Sequence, residues 1–413
     1  MLSFLFYKNR SLLGKENDES LEKLAEYLPL KIHKFKSGTD CFDWTVPKEW
    51  IVKKAQLKTL NGDVIIDATN SILHLINYSN SYQGIVSNEE LKKHVYTLEN
   101  LPDAIPYRAS YYSDNWGFCI PYKLLETLTD AEYEVDIQTE FKDSYLSIGE
   151  AVIKGESEKE VVLSSYLCHP LQAHDGLSGV VLLAMLFNQL KKKKLKYTYR
   201  FFFIPETIGS IALLSQGIID PKKVEYALVS TCVGYGEVHY KKTFESNHLL
   251  DCVVLDYLKT LENPHTILSF EPTGSDERQF SSPSIRIPTG SIMGEPYHEF
   301  EYYHTSLDDL DFVNIDYIEA MADIYKDIIL MYESEKKIKS KVSGCEVFLS
   351  QYNLYREISV PGHPESSIAR NWVLFYADGN HSLKQISHKS GFSEKILKEE
   401  LSKLLKAKVI EYI

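Results

Sequence analysis

Residues 164–186 read SSYLCHPLQAHDGLSGVVLLAML, and their pattern decides the fold. A run of strand formers ends in Cys168-His169-Pro170, and an apolar helix begins just after Asp175. A strand and a helix that are both continuously apolar must be covered on all sides, which is the texture of a parallel α/β sheet rather than a half-exposed antiparallel one. The turn between them carries His169, His174 and Asp175. In open parallel sheets ligands gather at the carboxyl edge, where strands give way to helices. The turn therefore offers metal-binding side chains at the edge where a ligand would sit.

The strand-then-helix pattern extends over about 146 to 340. KYTYRFFFIP (196–205) leads into a helix over 207–216, and YALVSTCVG (226–234) precedes a helix near 246–262. DYIEAMADIYKDIILMYESEKK closes this unit as a long amphipathic helix. Upstream, residues 11–28 have helix periodicity and LKIHKFKSG alternates like a strand. Between about 42 and 145 the texture changes to short alternating runs such as DVIIDAT and YEVDIQTEF, broken by Asn-Gly and Pro-Asp turns. That is a β-rich insert. From about 346, SLKQISHKSG and SEKILKEELSKLLKAK read as two helices around a glycine turn, with VIEYI as a short strand, which is a winged helix-turn-helix pattern. The expected domains are 1–41 with 146–345, the insert 42–145, and the tail 346–413.

Catalytic zinc takes three protein ligands and keeps a position for water, and imidazole and carboxylate are its usual partners. His169 and Asp175 supply two. A third is expected from another strand end, and EFEYYHTSLDDLDF (299–312) offers His304, with Asp308 or Asp309 able to orient an imidazole. The apolar strand RFFFIPETIGS ends in Glu206, whose carboxylate would be desolvated at the same edge and so suited to act as a general base. Each residue has a plainer reading. Asp175 could be a helix N-cap, either histidine a satisfied core residue, and Glu206 the partner of a lysine. Together the four fall where one sheet edge would collect them.

CHPLQAHDGLSG, FFFIPETIGS, GSDERQF and YYHTSLDDLDF, in this order, resemble the zinc aminopeptidases of the co-catalytic type. They are especially similar to the aminopeptidase-like subfamily labelled with polysaccharide biosynthesis. FDWTVPKEW, LHLINYS, IPYRASYY and WGFC are similar to motifs of that subfamily's β-rich insert, which a C-terminal winged-helix module follows. The resemblance covers nearly the whole chain. It implies a zinc-peptidase-type, mostly parallel sheet flanked by helices, with His169, Asp175 and His304 as zinc ligands and Glu206 as the base.

The same resemblance exposes departures. Two-metal relatives have a second Glu after the base, an Asp at the end of the next strand, and an Asp two residues after the first His. This chain has Thr207, then Ser230-Thr231-Cys232, and Leu171. Asp175 would bridge two metals in those enzymes, but here the second has lost its other protein ligands. Cys232 could serve as a soft ligand, although an apolar strand cysteine is more often structural. One zinc per chain is expected.

DGLSGV lacks the glycine that a serine nucleophile elbow needs two residues after Ser178. Asp276, Glu277 and Arg278 fall in a loop that is either a solvated surface or, as the resemblance implies, a wall of the pocket where Asp276 or Arg278 meets substrate. An arginine there would suit a carboxylate. Arg108, Tyr111, Tyr112 and Trp116 cluster in the insert as core, or as a stacking wall in which Arg108 and Tyr112 touch substrate.

The chain has 413 residues and a formal charge of -13, which excludes a nucleic-acid binder with a basic surface throughout. Residues 376–413 hold seven lysines against five acidic residues, so a docking or dimerisation role, with a homo-oligomer as one form of it, is preferred there to DNA binding. The six scattered cysteines read as free thiols of a reducing compartment. MLSFLFYKNR lacks the features of a signal peptide, and no segment approaches the roughly 18 apolar residues of a membrane span. A cytoplasmic protein without membrane partners is expected. Its expected activity is zinc-dependent cleavage of an amide bond in a small peptide or acylated amino sugar. The alternative is an inactive peptidase fold acting as a ligand-binding or regulatory module in polysaccharide biosynthesis.

Overall fold

The computed structural model describes residues 1–355 and 364–413; positions 356–363 of the expected tail module lie outside the described residues. The chain forms two compact units, one of residues 1–241 with 265–325, the other of 242–264 with 326–413.

The first unit is built on an eight-stranded sheet. Its centre is four parallel strands, in spatial order Thr198–Ile204, Glu160–Tyr166, Val224–Val229 and Thr289–Met293. Their sequences are almost unbroken apolar runs because helices such as Ser178–Leu190 and Ile208–Ser215 bury them. Phe201, Phe202 and Phe203 are all fully buried although successive side chains face opposite sides of the sheet. At roughly 1.5–3 kcal/mol for each buried side chain, this one tripeptide contributes as much as many small surface interactions together.

The sheet is less uniformly parallel than its centre. Tyr145–Ile153 pairs antiparallel with both Lys31–Lys36 and Thr198–Ile204, and Val238–Lys241 pairs antiparallel with Thr289–Met293. The chain reaches Tyr145–Ile153 from the insert rather than through a crossover helix, so parallel pairing is not imposed there. Glu150 on this strand is buried between His33 (2.7 Å) and Arg200 (2.7 Å), tying three strands together.

The insert supplies a four-stranded antiparallel sheet in the order Val64–Asp67, Glu49–Lys58, Glu132–Lys142, Tyr82–Ser87. It belongs to the same compact unit. One of its loops runs to the main sheet's carboxyl edge, where Ser306 N–H donates to Ile105 O at 2.8 Å.

Helix Ser178–Leu190 sits unusually close to the strand ends. A Cβ on Gly179 would stand 2.1 Å from Ser230 O and 2.6 Å from Ser165 Oγ, so only glycine permits the approach. Ser178 completes the seam, donating to His174 O and accepting from Val233 N–H.

In the second unit, helices Leu383–Ser390 and Glu394–Lys406 flank Gly391, whose φ of 75° ends the first of them. Strand Ile410–Tyr412 pairs with Lys337–Ser340, which also pairs with Asp378–Ser382. Helix Leu249–Leu258 belongs to this unit, and its Asp256 binds Lys384 and His388. Both side chains are therefore engaged within the unit. Among the described residues no helix is long and apolar enough to cross a membrane.

Candidate metal centre

The four central strands deliver the site, each at its carboxyl end. Glu160–Tyr166 leads to His169 and Asp175, Thr198–Ile204 to Glu206, Val224–Val229 to Thr231 and Cys232, and Thr289–Met293 to the loop bearing His304. Leu171, Thr207, Cys232 and His304 all have positive φ, between 52° and 64°. Non-glycine residues hold such angles only where surrounding structure enforces them, at about 1–3 kcal/mol each. These sharp bends lie in the loops that follow the strands and carry the site residues.

His169, Asp175 and His304 converge, with their ligand atoms all within 4.8 Å of one another. Asp175 Oδ2 lies 3.0 Å from His304 Nε2, and His169 Nε2 lies 3.7 Å from Glu206 Oε2. Two imidazoles and one carboxylate are a donor set of catalytic zinc, so the residues present fit that ion. Burial pushes His169 down to about 4, which keeps its ring neutral as a ligand must be. Burial would raise the Asp175 carboxyl, but the His304 hydrogen bond and neighbouring His169 hold it well below the usual range.

Desolvation, and then the Asp276 and Asp175 carboxylates, raise the Glu206 carboxyl above its ordinary range. The residues just after it in the chain hold it in place. Ile208 N–H donates to Glu206 O at 2.7 Å across Thr207 (φ 64°, ψ −72°), which makes a γ-turn of the rarer, strained kind. Asp276 Oδ1 locks the turn by accepting from Thr207 N–H (2.8 Å) and Ser210 Oγ–H (2.6 Å).

Two cavities open onto this centre and share His169, Glu206 and Arg278. One, about 250 Å³, has an apolar wall of Leu12, Trp44, Tyr111, Tyr112 and Ile208. The other, about 310 Å³, is bounded by Thr273, Ser275, Tyr297, His298 and Tyr303.

Asp276 is fully buried beneath the base, while Arg278 lies on the cavity wall and donates to Thr207 Oγ1. Tyr112 lines the more apolar cavity. Arg108 stands elsewhere, with its guanidinium over the Tyr96 ring, and lines neither cavity. Asp308 orients no imidazole. Its carboxylate accepts from the N–H groups of Ala173, His174 and Asp175 and so fixes the turn that carries His169 and Asp175, while Asp309 caps Asp311 and Phe312. His174 has a structural place: buried, accepting from Gly234 N–H, and packed against Phe300 and Phe312.

Three contributors escape a reading by motif. Tyr107, from the insert, sets its ring edge against both His169 and His304, each at 5.2 Å between centroids, and its hydroxyl meets Tyr111. Arg10 is buried and donates to Leu5 O, Leu167 O and His169 O. Cys168 Sγ accepts from Glu206 N–H at 3.2 Å and lies 3.4 Å from His169 Nδ1. The only sequence signal for Tyr107 was its presence in IPYRASYY.

The family model described as a domain of unknown function, DUF4910, matches residues 1–335. A Clostridium acetobutylicum protein whose name includes polysaccharide biosynthesis and an aminopeptidase-like domain is 37% identical over 415 residues, covering 100% of this chain and 95% of its own length. A crystal structure from the same organism is 36% identical with a TM-score of 0.80, over 100% of this chain and 95% of that one. A zinc aminopeptidase from Bacillus subtilis, 12% identical, aligns over 79% of this chain and 93% of its own with a TM-score of 0.58, which is a likeness of fold.

Proposed function

The chain belongs to the DUF4910 family, and we propose that it is a zinc-dependent hydrolase of amide bonds. One observation carries the reading: three zinc-type donors converge at the carboxyl edge of an aminopeptidase-type sheet, with the half-buried Glu206 carboxylate 3.7 Å from one of them. His169, Asp175 and His304 would hold a single ion. When bound, zinc polarises a carbonyl oxygen and makes water more acidic. Glu206 takes the proton of the attacking water and passes it to the leaving amine.

A substrate lying across His169 and Glu206 would place an apolar group against Trp44 and Tyr112 and its polar remainder beside Tyr297 and His298. Arg278, on the border, suits a carboxylate. A small peptide with a free amino terminus or an acylated amino sugar meets these demands. The buried free thiols suit a reducing cytoplasm.

Metal analysis and a panel of aminoacyl and N-acyl-sugar substrates test the reading. About one zinc per chain, lost in His169→Ala, is expected. Glu206→Gln should keep the zinc and lose about 10²–10⁴ in turnover. A chain that purifies without zinc and cannot be loaded, or a Glu206→Gln variant as active as wild type, would sink it.

A further inference from the structure

The two oxygens of Asp175 have different neighbours. Oδ2 faces His304 Nε2 at 3.0 Å. Oδ1 accepts the phenol O–H of Tyr166. The same phenol oxygen accepts Thr231 Oγ1–H at 2.7 Å, and the Cys232 thiol lies 3.8 Å from Oδ1.

The order of donors is fixed by chemistry. An ionised carboxylate has no proton to give, so the phenol proton must go to Asp175, and the phenol oxygen is left free to accept from Thr231. Tyr166 cannot swing away cheaply. It is buried, and its ring fills the space beside Gly176, where a Cβ would come within 2.9 Å of it.

A carboxylate that bridges two cations presents one oxygen to each, the ions lying about 3.5–4 Å apart. The bridging position here is already taken by a neutral O–H donor. To admit an ion on Oδ1, the site would have to expel a buried phenol, and of its neighbours Thr231 and Cys232 the thiol alone is a strong metal ligand.

We infer that Tyr166, itself held by Thr231, is a positioning residue that stands in for a second cation on Asp175 and so confines the centre to one ion bound through Oδ2. This rests on the zinc reading of the site. It adds the device by which the carboxylate is oriented.

The full-length chain, stripped of metal and crystallised with excess zinc, gives one test by anomalous diffraction. The expected result is one peak, touching His169, Asp175 Oδ2 and His304, with Tyr166 still on Oδ1. Two peaks, or a peak on Oδ1 with the phenol displaced, would leave the zinc reading intact and overturn the inference. No peak at the three ligands would overturn both.

Titration with cobalt(II), followed by visible absorption, gives a second test. Tyr166→Phe should bind cobalt about 10–100-fold more weakly, with a changed ligand-field spectrum, and Thr231→Val should shift both in the same direction by less. A Tyr166→Phe variant matching wild type in affinity and spectrum would overturn the inference.

Discussion

Tyr107 N–H donates to His304 O at 2.7 Å, while the Tyr107 ring stands edge-on to both site histidines. The insert is therefore part of the centre. Tyr107→Ala should remove the wall that fixes both imidazoles and weaken zinc binding by about tenfold or more, whereas Tyr107→Phe keeps the ring and should bind normally. Competition against a chelator of known affinity measures both. Equal weakening by the two variants would point to the hydroxyl instead.

Gly179 offers a purely steric prediction. Gly179→Ala puts a methyl 2.1 Å from a backbone oxygen that cannot rotate away, and should cost on the order of 3 kcal/mol in denaturant melts. Gly217 has φ 68°, and a methyl added there would meet nothing within 4 Å, so Gly217→Ala should cost only about 1 kcal/mol of backbone strain. A Gly179→Ala variant no worse than Gly217→Ala would contradict the close approach.

The γ-turn at Thr207 depends on Asp276. Asp276→Ala leaves Thr207 N–H without its acceptor and should cost about 2 kcal/mol or more, with loss of any Glu206-dependent turnover as the turn relaxes. Asp276→Asn retains an acceptor oxygen and should be milder on both counts. Thermal unfolding and turnover on the same preparations separate the two effects.

Glu150 gives a dependence on pH. Burial alone would raise its carboxyl, but hydrogen bonds from His33 and Arg200 lower it to about 2 from an ordinary 4.5. A depressed carboxylate contributes stability above its unfolded pKa and loses it as pH falls toward the folded one. Between pH 6 and about pH 3 the wild type should lose roughly 2 kcal/mol through this group. Glu150→Gln should be less stable at pH 6 and lack that part of the slope, as urea melts at the two pH values would show.

How much of this could be read from the sequence depends on the range over which each residue acts. His169, Asp175 and Glu206 follow apolar strands that declare a sheet edge, and His304 follows an aromatic run, so their convergence was legible from local pattern. Asp308 was visible as a candidate, but its work is on backbone N–H groups of a distant turn, which no side-chain pattern encodes. Tyr166 reads as one more strand residue because its ring is core and only its oxygen is chemical. Helix Leu249–Leu258 shows its apolar face in sequence, yet periodicity does not say which core that face will join, and it joins the second unit. The antiparallel pairings of Tyr145–Ile153 depend likewise on the path of the chain through the insert.

Arg10 gives the amino terminus an unexpected importance. Its guanidinium clasps the carbonyl oxygens of Leu167 and His169, on either side of Cys168, and a third carbonyl at Leu5. Residues 5–10 are thereby tied to the turn that carries His169. A protease cut between Phe6 and Arg10 would leave Arg10 on the larger fragment but cut loose its Leu5 acceptor, so residues 5–10 should be verified as intact before any weak metal binding is blamed on the centre itself.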